Sequence, residues 1–294
     1  MDNLGTFAGI DKAYAGFDNA RILLQSIPYD GTSTWGKGAD KGFEAFLEAA
    51  ANMELYDIET DSEVFRQGIH IVPELSEKSS PEALYLAVLE KTRDLLSHGK
   101  FLTFFGGEHS VSIGIIEAFQ KVYPKLSVLQ LDAHADLRPE YLGSAYNHAC
   151  ALHEASKTTK LVQVGIRSMD RLEKDYANPD TCFFAHEIHR NTSWMEESID
   201  LLNNPVYLTI DLDVLDPSIM PATGTPEPGG MDWYTLLAYL KKVFTSKTVV
   251  GFDVVEVLPD CDVAAITALL AANLVYEFLS LIALNKKMAL PDGR

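Results

Sequence analysis

An alternating set of metal-capable side chains follows an apolar run near the middle of the chain. Asp132, His134 and Asp136 occupy every second position directly after residues 128–131. If that run is a buried strand, side chains at every second position project from the same face. An alternating polar run is also typical of the wet side of an ordinary strand. The pattern alone therefore indicates a possible metal site, which the rest of the chain must support.

Two more polar blocks follow apolar runs in the same way. His109 lies in the run GGEHS after Phe105, and Asp211 and Asp213 follow Ile210. Together the blocks offer four carboxylates and two imidazoles, with no thiolate among them. Such a set is too large and too oxygen-rich for a structural zinc site and suits harder divalent ions, Mn²⁺ above all. A pair of such ions acidifies a water molecule into a nucleophile.

The elements that position these blocks follow a strand–helix alternation. Apolar, β-rich runs lie at 21–27, 68–72, 101–105, 126–131, 161–166, 206–210 and 248–254, and helical patterns at 81–97, 233–244 and 264–284. This order predicts a single α/β domain, residues 1–294, with a mainly parallel sheet between two helical layers. Such sheets bind ligands at the carboxyl ends of their strands, where all three blocks fall.

Composition narrows the classes of function. The formal net charge of −18 over 294 residues argues against nucleic acid or an anionic membrane as a partner and favours a cationic substrate.

The segment 264–284 is apolar enough to imitate a membrane span, but we expect a helix packed on the sheet. The first residues resemble no secretory signal, so we expect a cytoplasmic protein. Cys150, Cys182 and Cys261 show no metal-site spacing and are interpreted as buried thiols.

The blocks GGEHS, DAHAD and TIDLDVLDPSIMPATGTPEPGG resemble the signature motifs of the ureohydrolases, the arginase and agmatinase family of dimanganese amidinohydrolases. The segments IPYDGTS and VGIRS resemble further parts of that family's sequence. The resemblance implies the arginase-like three-layer fold and two Mn²⁺ ions per subunit. It also implies a homo-oligomer, a trimer or a hexamer.

The resemblance further implies a role for each motif residue. One manganese is expected on His109, Asp132, Asp136 and Asp211, and the other on Asp132, His134, Asp211 and Asp213. Asp136 would also orient the attacking hydroxide, His148 would act as a proton shuttle, and Glu256 would pair with the substrate guanidinium.

The substrate depends on the loop that follows the second motif. This loop does not resemble the arginase type, and Glu140 in it could complement a distal ammonium group of agmatine or remain a solvated carboxylate. Arg138 could instead bind the carboxylate of a guanidino acid. We predict hydrolysis of agmatine to putrescine and urea. The alternatives are arginase, guanidinobutyrase or formiminoglutamase activity, and, in another class, a catalytically silent metal-binding relative.

Overall fold

The structure, a computed structural model, describes residues 5–284. Its centre is one sheet of eight strands, all parallel, in the order β2-β1-β3-β8-β7-β4-β5-β6. In chain order the strands are β1 Ile22–Ile27, β2 Ile69–Val72, β3 Phe101–Gly106, β4 Ser127–Leu131, β5 Lys160–Ile166, β6 Cys182–Phe184, β7 Val206–Asp211 and β8 Val249–Val255.

Nine α-helices lie within the described range. They are α1 Lys12–Ala15, α2 Gly42–Ala50, α3 Pro81–Leu96, α4 Val111–Val122, α5 His153–Thr158, α6 Ala185–Ile188, α7 Ser193–Leu201, α8 Trp233–Ser246 and α9 Ile266–Leu284. Side-chain caps define several of their starts. The Ser80 hydroxyl accepts a hydrogen bond from Ala83 N at the start of α3, and Asp232 accepts one from Thr235 N at the start of α8.

The sheet is buried on both faces, which is why its strands are apolar at nearly every position. Neighbouring residues of β3 illustrate this, since Phe104 belongs to one hydrophobic core and Phe105 to the other. Leu23 and Leu24 of β1 divide between the two cores in the same way. A strand with helices on both sides needs apolar side chains in both directions. The predicted three-layer α/β/α fold is therefore confirmed.

The seven predicted strands and three predicted helices are all present, with ends shifted by one or two residues. The prediction missed β6, which has only three residues and pairs only with the end of β5. The apolar C-terminal segment is long enough to cross a membrane, but 67% of its most apolar stretch is buried in the protein. It packs as α9 against the core, as expected. One expectation is wrong: Cys261 is exposed, whereas Cys150 and Cys182 are buried.

The strand order explains how distant motifs meet. The four central strands of the sheet are β3, β8, β7 and β4, side by side. Because all eight strands are parallel, the residues that follow these four strands share one edge of the sheet. This edge carries the three predicted metal-binding blocks and also Glu256, which follows β8.

Candidate metal centre

Asp132 is the residue that joins the two halves of the site. His109, Asp132 and Asp211 form one group of potential metal ligands, and Asp132, His134 and Asp213 form the other. Within each group the potential ligand atoms lie within 4.8 Å of one another. Asp132 is fully buried and is shared by both groups. Asp132 is therefore the one side chain of the described residues that belongs to both groups.

The Nδ1 atom of His109 lies among carboxylate oxygens but has no hydrogen-bond partner. It is 3.1 Å from an oxygen of Asp132, 3.1 Å from an oxygen of Asp136 and 3.7 Å from an oxygen of Asp211. A buried nitrogen normally has a partner. An unpaired ring nitrogen surrounded by three carboxylates fits a bound cation, which all four side chains would coordinate through lone pairs.

The other ring nitrogen of His109 is held by a buried polar chain. Nε2 lies 2.9 Å from the Thr209 hydroxyl, which donates its own proton to Asp253 over 2.7 Å. The Thr209 oxygen can therefore only accept from Nε2–H, so the lone pair of the neutral ring lies on Nδ1. Without a cation, burial lowers the pKa of His109, but Asp132 and Asp136 outweigh it and raise the pKa well above its ordinary range, so the ring must release its Nδ1 proton when an ion binds. Asp253 also accepts hydrogen bonds from Tyr207 and Ser112 and is fully buried. Outer partners of this kind orient metal-binding histidines.

The second group is held together by backbone hydrogen bonds. The Nδ1 atom of His134 lies 2.9 Å from Asp213 and 3.7 Å from Asp132. Asp132 accepts from the His134 backbone N–H, and Asp213 accepts from that of Ala133. Asp211 accepts from the backbone N–H of Asp213. These bonds place the carboxylates before any ion binds, as a preorganised site requires.

Without a cation, this crowding of buried groups shifts their protonation strongly. Burial lowers the pKa of His134, but the charge and hydrogen bonds of Asp213 and Asp132 outweigh it and raise the pKa to about 12. Burial raises the pKa of Asp211 well above its ordinary range, and the charges of Asp213 and Asp132 add to this. Burial and the charge of Asp132 also raise the pKa of Asp136. Divalent cations would relieve this repulsion.

Two of the predicted site residues adopt left-handed backbone conformations. Asp136 has φ of 53° and Glu256 has φ of 68°. For a glutamate this conformation is uncommon, and such residues concentrate at functional sites. A hydrogen bond from Glu256 N to Gly107 O, of 2.8 Å, holds the backbone in place. A Cβ on Gly107 would lie 1.9 Å from Tyr29 O, so this close approach requires glycine.

The carboxylate of Glu256 is buried beside the metal-binding block. It accepts a hydrogen bond of 2.9 Å from the backbone N–H of His109, and it lines the cavity described below. Burial raises its pKa well above the ordinary range, and the charge of Glu108 adds to the shift. A cation placed against this carboxylate would be strongly stabilised, which suits the predicted guanidinium-binding role.

His148 is the third predicted catalytic residue, and its ring also lines the cavity. Its Nδ1 atom lies 3.1 Å from the Thr32 hydroxyl, and the ring of Tyr141 meets it edge-on at 6.1 Å. Burial lowers the pKa of His148 to about 4, and the nearby charges of His109 and His134 contribute. The imidazole is therefore neutral at neutral pH.

The site opens into a cavity of ≈ 300 Å³. Its lining brings together four of the six predicted metal ligands, the predicted proton shuttle and the predicted guanidinium-binding glutamate. These are His109, His134, Asp136, Asp211, His148 and Glu256.

The structure does not bring Glu140 to this cavity, because its side chain is exposed and does not contribute to the lining. Two other carboxylates, Asp170 and Glu173, lie at the cavity wall. They follow β5 in the strand–loop segment VGIRSMDRLE, and their spacing in the sequence did not predict a place in the site. Arg138 lines the cavity, whereas Glu140, two residues further along the chain, is exposed and does not.

Arg138 is already engaged by those two carboxylates. Its guanidinium nitrogens lie 3.8 Å from Asp170 and 3.8 Å from Glu173, and the group stacks over the Tyr141 ring at 4.3 Å. Glu173 additionally accepts from two backbone N–H groups. The cavity wall therefore carries two carboxylates around one guanidinium. This excess of negative charge at the wall favours a cation there.

The five remaining histidines, which lie in none of the three motif blocks, have local partners. His70, His153 and His189 each contact a backbone carbonyl oxygen through a ring nitrogen, while His98 packs on Phe17 and His186 on Phe184. Asp216 accepts hydrogen bonds from the backbone N–H groups of Ser218, Gly229 and Gly230. It therefore organises the Pro- and Gly-rich loop and does not join the metal-binding groups.

Fold and site together define an α/β protein with two adjoining groups of potential metal ligands at the carboxyl edge of a parallel sheet. The arginase family model matches residues 20–280. The chain is 37% identical over 273 residues to the N(1)-aminopropylagmatine ureohydrolase of Thermus thermophilus, covering 91% of this chain and 92% of that one. It is 31% identical to the agmatinase of Pyrococcus horikoshii, covering 90% and 93% of the two chains.

Solved structures agree with these relatives. The agmatine ureohydrolase of Thermoplasma volcanium has a TM-score of 0.83 and 29% identity, covering 92% of this chain and 93% of that one. The chain belongs to the arginase family, and its similarity is to the agmatinase-like ureohydrolases within it.

Proposed function

We propose that this protein is a manganese-dependent ureohydrolase that cleaves the guanidino group of agmatine to urea and putrescine. The observation that carries the proposal is the distribution of charge in the cavity. Carboxylates of the metal-binding groups and Glu256 lie at its inner end, and Asp170 and Glu173 lie around Arg138 at its wall. A substrate with a guanidinium at one end and an ammonium at the other matches this distribution.

Two Mn²⁺ ions would be held by His109, Asp132, Asp136 and Asp211 on one side and by Asp132, His134, Asp211 and Asp213 on the other. When bound, such ions lower the pKa of a water molecule and so supply the nucleophile. Harder divalent ions suit this donor set because four of its six side chains are carboxylates and none is a thiol.

The protein's own groups then position the substrate and move the proton. The Glu256 carboxylate binds the guanidinium and fixes the direction from which its carbon is approached. Water adds to that carbon, the bond from carbon to the substituted nitrogen breaks, and this nitrogen leaves as an amine after it gains a proton. Asp136 and His148 both line the cavity and are the groups that would deliver that proton.

N(1)-aminopropylagmatine is a second candidate substrate. Several relatives carry its name, one of them 37% identical to this chain. This molecule extends agmatine by an aminopropyl group and so adds a positive charge. Asp170 has an exposed fraction of 42% and lies at the cavity wall, where it can meet such an extension.

A substrate panel tests the proposal. Urea release from agmatine, N(1)-aminopropylagmatine, arginine and 4-guanidinobutyrate, and formamide release from formiminoglutamate, would be compared as kcat/KM for the Mn²⁺-loaded protein. Asp132→Ala serves as the inactive control. We expect the amine substrates to exceed the acids. Faster turnover of any acid would contradict the agmatine assignment, and binding of two ions without turnover would indicate the silent metal-binding alternative.

Three further expectations belong to this proposal. Relatives commonly form homo-oligomers, so a trimer or hexamer is expected and light scattering measures it. We also expect a cytoplasmic location and a single domain across residues 1–294.

A further inference from the structure

A completely buried carboxylate, Glu108, lies behind His148 and is used by neither metal-binding group. It accepts two hydrogen bonds from Thr32, of 2.7 Å from the backbone N–H and 2.6 Å from the hydroxyl. It also accepts from the Ser33 hydroxyl at 3.1 Å and the Ser110 hydroxyl at 2.6 Å. Burial raises the pKa of Glu108, whereas the hydrogen bonds from Ser110 and Thr32 oppose this rise and favour the carboxylate. In the ionised form Glu108 accepts all four bonds, two at each oxygen, and donates none. The Thr32 hydroxyl therefore points its hydrogen at Glu108, which accepts the hydrogen bond.

The Thr32 hydroxyl has only that one proton to give. Its oxygen also accepts a 3.0 Å hydrogen bond from the backbone N–H of His148 and lies 3.1 Å from the Nδ1 atom of the same residue. Since the proton already points to Glu108, the Thr32 oxygen can only accept at this second contact. Nδ1 of His148 must therefore carry a hydrogen.

The hydrogen on Nδ1 determines the chemistry of the opposite ring nitrogen. In a neutral histidine the nitrogen that carries the proton is set by the hydrogen bond that the other nitrogen makes. Nε2 of His148 has no hydrogen-bond partner among residues 5–284, and the ring lines the cavity. Its lone pair is consequently available on the side where the substrate would lie.

We propose that Thr32, held by the buried carboxylate of Glu108, is a positioning residue that fixes His148 as the Nδ1–H tautomer. The Nε2 atom is thereby kept free to take up and release a proton at the cavity. The Thr32 hydroxyl oxygen also accepts from the backbone N–H of His148, so tautomer and ring position are set together. The tautomer does not depend on the proposed ureohydrolase function, whereas its catalytic consequence rests on it.

Nuclear magnetic resonance of the full, metal-free chain labelled with ¹⁵N-histidine tests the tautomer directly. The signal of His148 is identified by its loss in His148→Asn. We expect the wild-type spectrum at neutral pH to show a protonated Nδ1 and an unprotonated Nε2. A protonated Nε2 with a bare Nδ1 would overturn the proposal, and this measurement needs no variant of Thr32 to fold.

Three variants distinguish a role of Thr32 in positioning His148 from a general effect of packing. Thr32→Val removes the acceptor and should move His148 toward the Nε2–H tautomer, while Thr32→Ser keeps the hydroxyl and should restore the wild-type signal. Ser33→Ala is the matched control, because Ser33 donates to the same Glu108 but does not contact His148. An unchanged His148 signal in Thr32→Val, or an equal change in Ser33→Ala, would overturn the proposal.

Urea release tests the catalytic consequence of the proposal separately. In the Mn²⁺-loaded protein, Thr32→Val should lower kcat for agmatine by about 10- to 100-fold, with a smaller change in KM, and Thr32→Ser should recover most of the loss. Wild-type kcat in Thr32→Val despite an altered tautomer would overturn this part. If wild-type protein hydrolyses no guanidine, the proposed function fails, while the tautomer measurement still tests the role of Thr32.

Discussion

The Nε2 atom of His109 lies 2.9 Å from the hydroxyl oxygen of Thr209, which in turn donates to the buried carboxylate of Asp253. This chain directs the His109 lone pair toward the carboxylates of the metal-binding group. We therefore expect Thr209→Val to weaken Mn²⁺ binding at that group by about 10- to 100-fold. Calorimetric titration with Mn²⁺ measures the affinity and the number of ions bound.

A second buried threonine provides the control for this change. Thr103 in β3 donates its hydroxyl proton to the carbonyl oxygen of Leu23 and contacts no residue of the site. Thr103→Val should cost about 1 kcal/mol in the free energy of unfolding and leave the Mn²⁺ affinity unchanged. Equal effects of the two variants on affinity would show that the Thr209 contact has no special role.

Metal binding should release protons. In the cation-free site, burial raises the pKa of Asp136 and Asp211, and neighbouring carboxylates raise the pKa of His134 to about 12. Ligands must give up these protons to bind an ion, so the apparent Mn²⁺ affinity should rise with pH between about pH 6 and pH 8. Calorimetry in two buffers of different ionisation enthalpy counts the released protons.

The variant His134→Asn gives the internal check on that count. It removes one group that holds a proton in the empty site, so it should release about one proton fewer per protein. Buffer-independent binding enthalpies in the wild-type protein would contradict this account of the site.

His148 should make the metal-free protein less stable in acid. Burial, with the charges of His109 and His134, lowers its pKa from 6.5 to about 4. Between these two pH values the unfolded chain binds more protons at this residue than the folded chain does. Its contribution to stability is therefore complete above pH 6.5 and is lost as the pH falls through 4.

Denaturant unfolding of wild type and His148→Asn measures this effect. The free energy of unfolding of the wild type should fall, relative to that of the variant, as the pH is lowered from about 7 to about 4. A difference between the two proteins that stays constant over this range would mean that His148 titrates normally.

Asp170 should contribute to binding of the distal end of the substrate. Asp170→Asn keeps the cap on the following turn, since asparagine also accepts from backbone N–H groups. It removes one negative charge from the partly exposed cavity wall, a contribution of roughly 0.2–1 kcal/mol. KM for agmatine should rise by about two- to fivefold, and that for N(1)-aminopropylagmatine by at least as much. Steady-state urea release gives both values.

Asp175 is the matched control for this charge change. It lies at the other end of the same turn, Arg171–Asp175, is exposed, and does not line the cavity. Asp175→Asn should leave both KM values unchanged. If it raised them as much as Asp170→Asn does, the effect would reflect the overall charge of the protein and not a contact at the cavity.

The sequence was sufficient to predict the fold class and to indicate the side chains that the structure brings together in the two groups of potential metal ligands. Strands buried on both faces form continuous apolar runs, and the ligands of each group lie within a few residues of a strand end. The short edge strand β6 could not be predicted in this way, because three residues give no periodic signal.

Contacts between distant segments could not be predicted from the sequence. The contacts of Thr32 with Glu108 and His148 join parts of the chain that are 76 and 116 residues apart. Thr32 lies in IPYDGTS and Glu108 in GGEHS, but neither motif shows that the two side chains meet. Glu140 illustrates the reverse case. The carboxylate of Glu140 suited a contact with a cationic substrate. In the structure, however, Arg138 lines the cavity and Glu140 does not.

Urea release by the Mn²⁺-loaded protein is the most direct test of the central claim. Agmatine or N(1)-aminopropylagmatine should be hydrolysed with a higher kcat/KM than arginine or 4-guanidinobutyrate, and Asp132→Ala should abolish turnover because this residue belongs to both metal-binding groups. Preference for an acid substrate, or two bound ions with no urea released from any guanidine, would contradict the account.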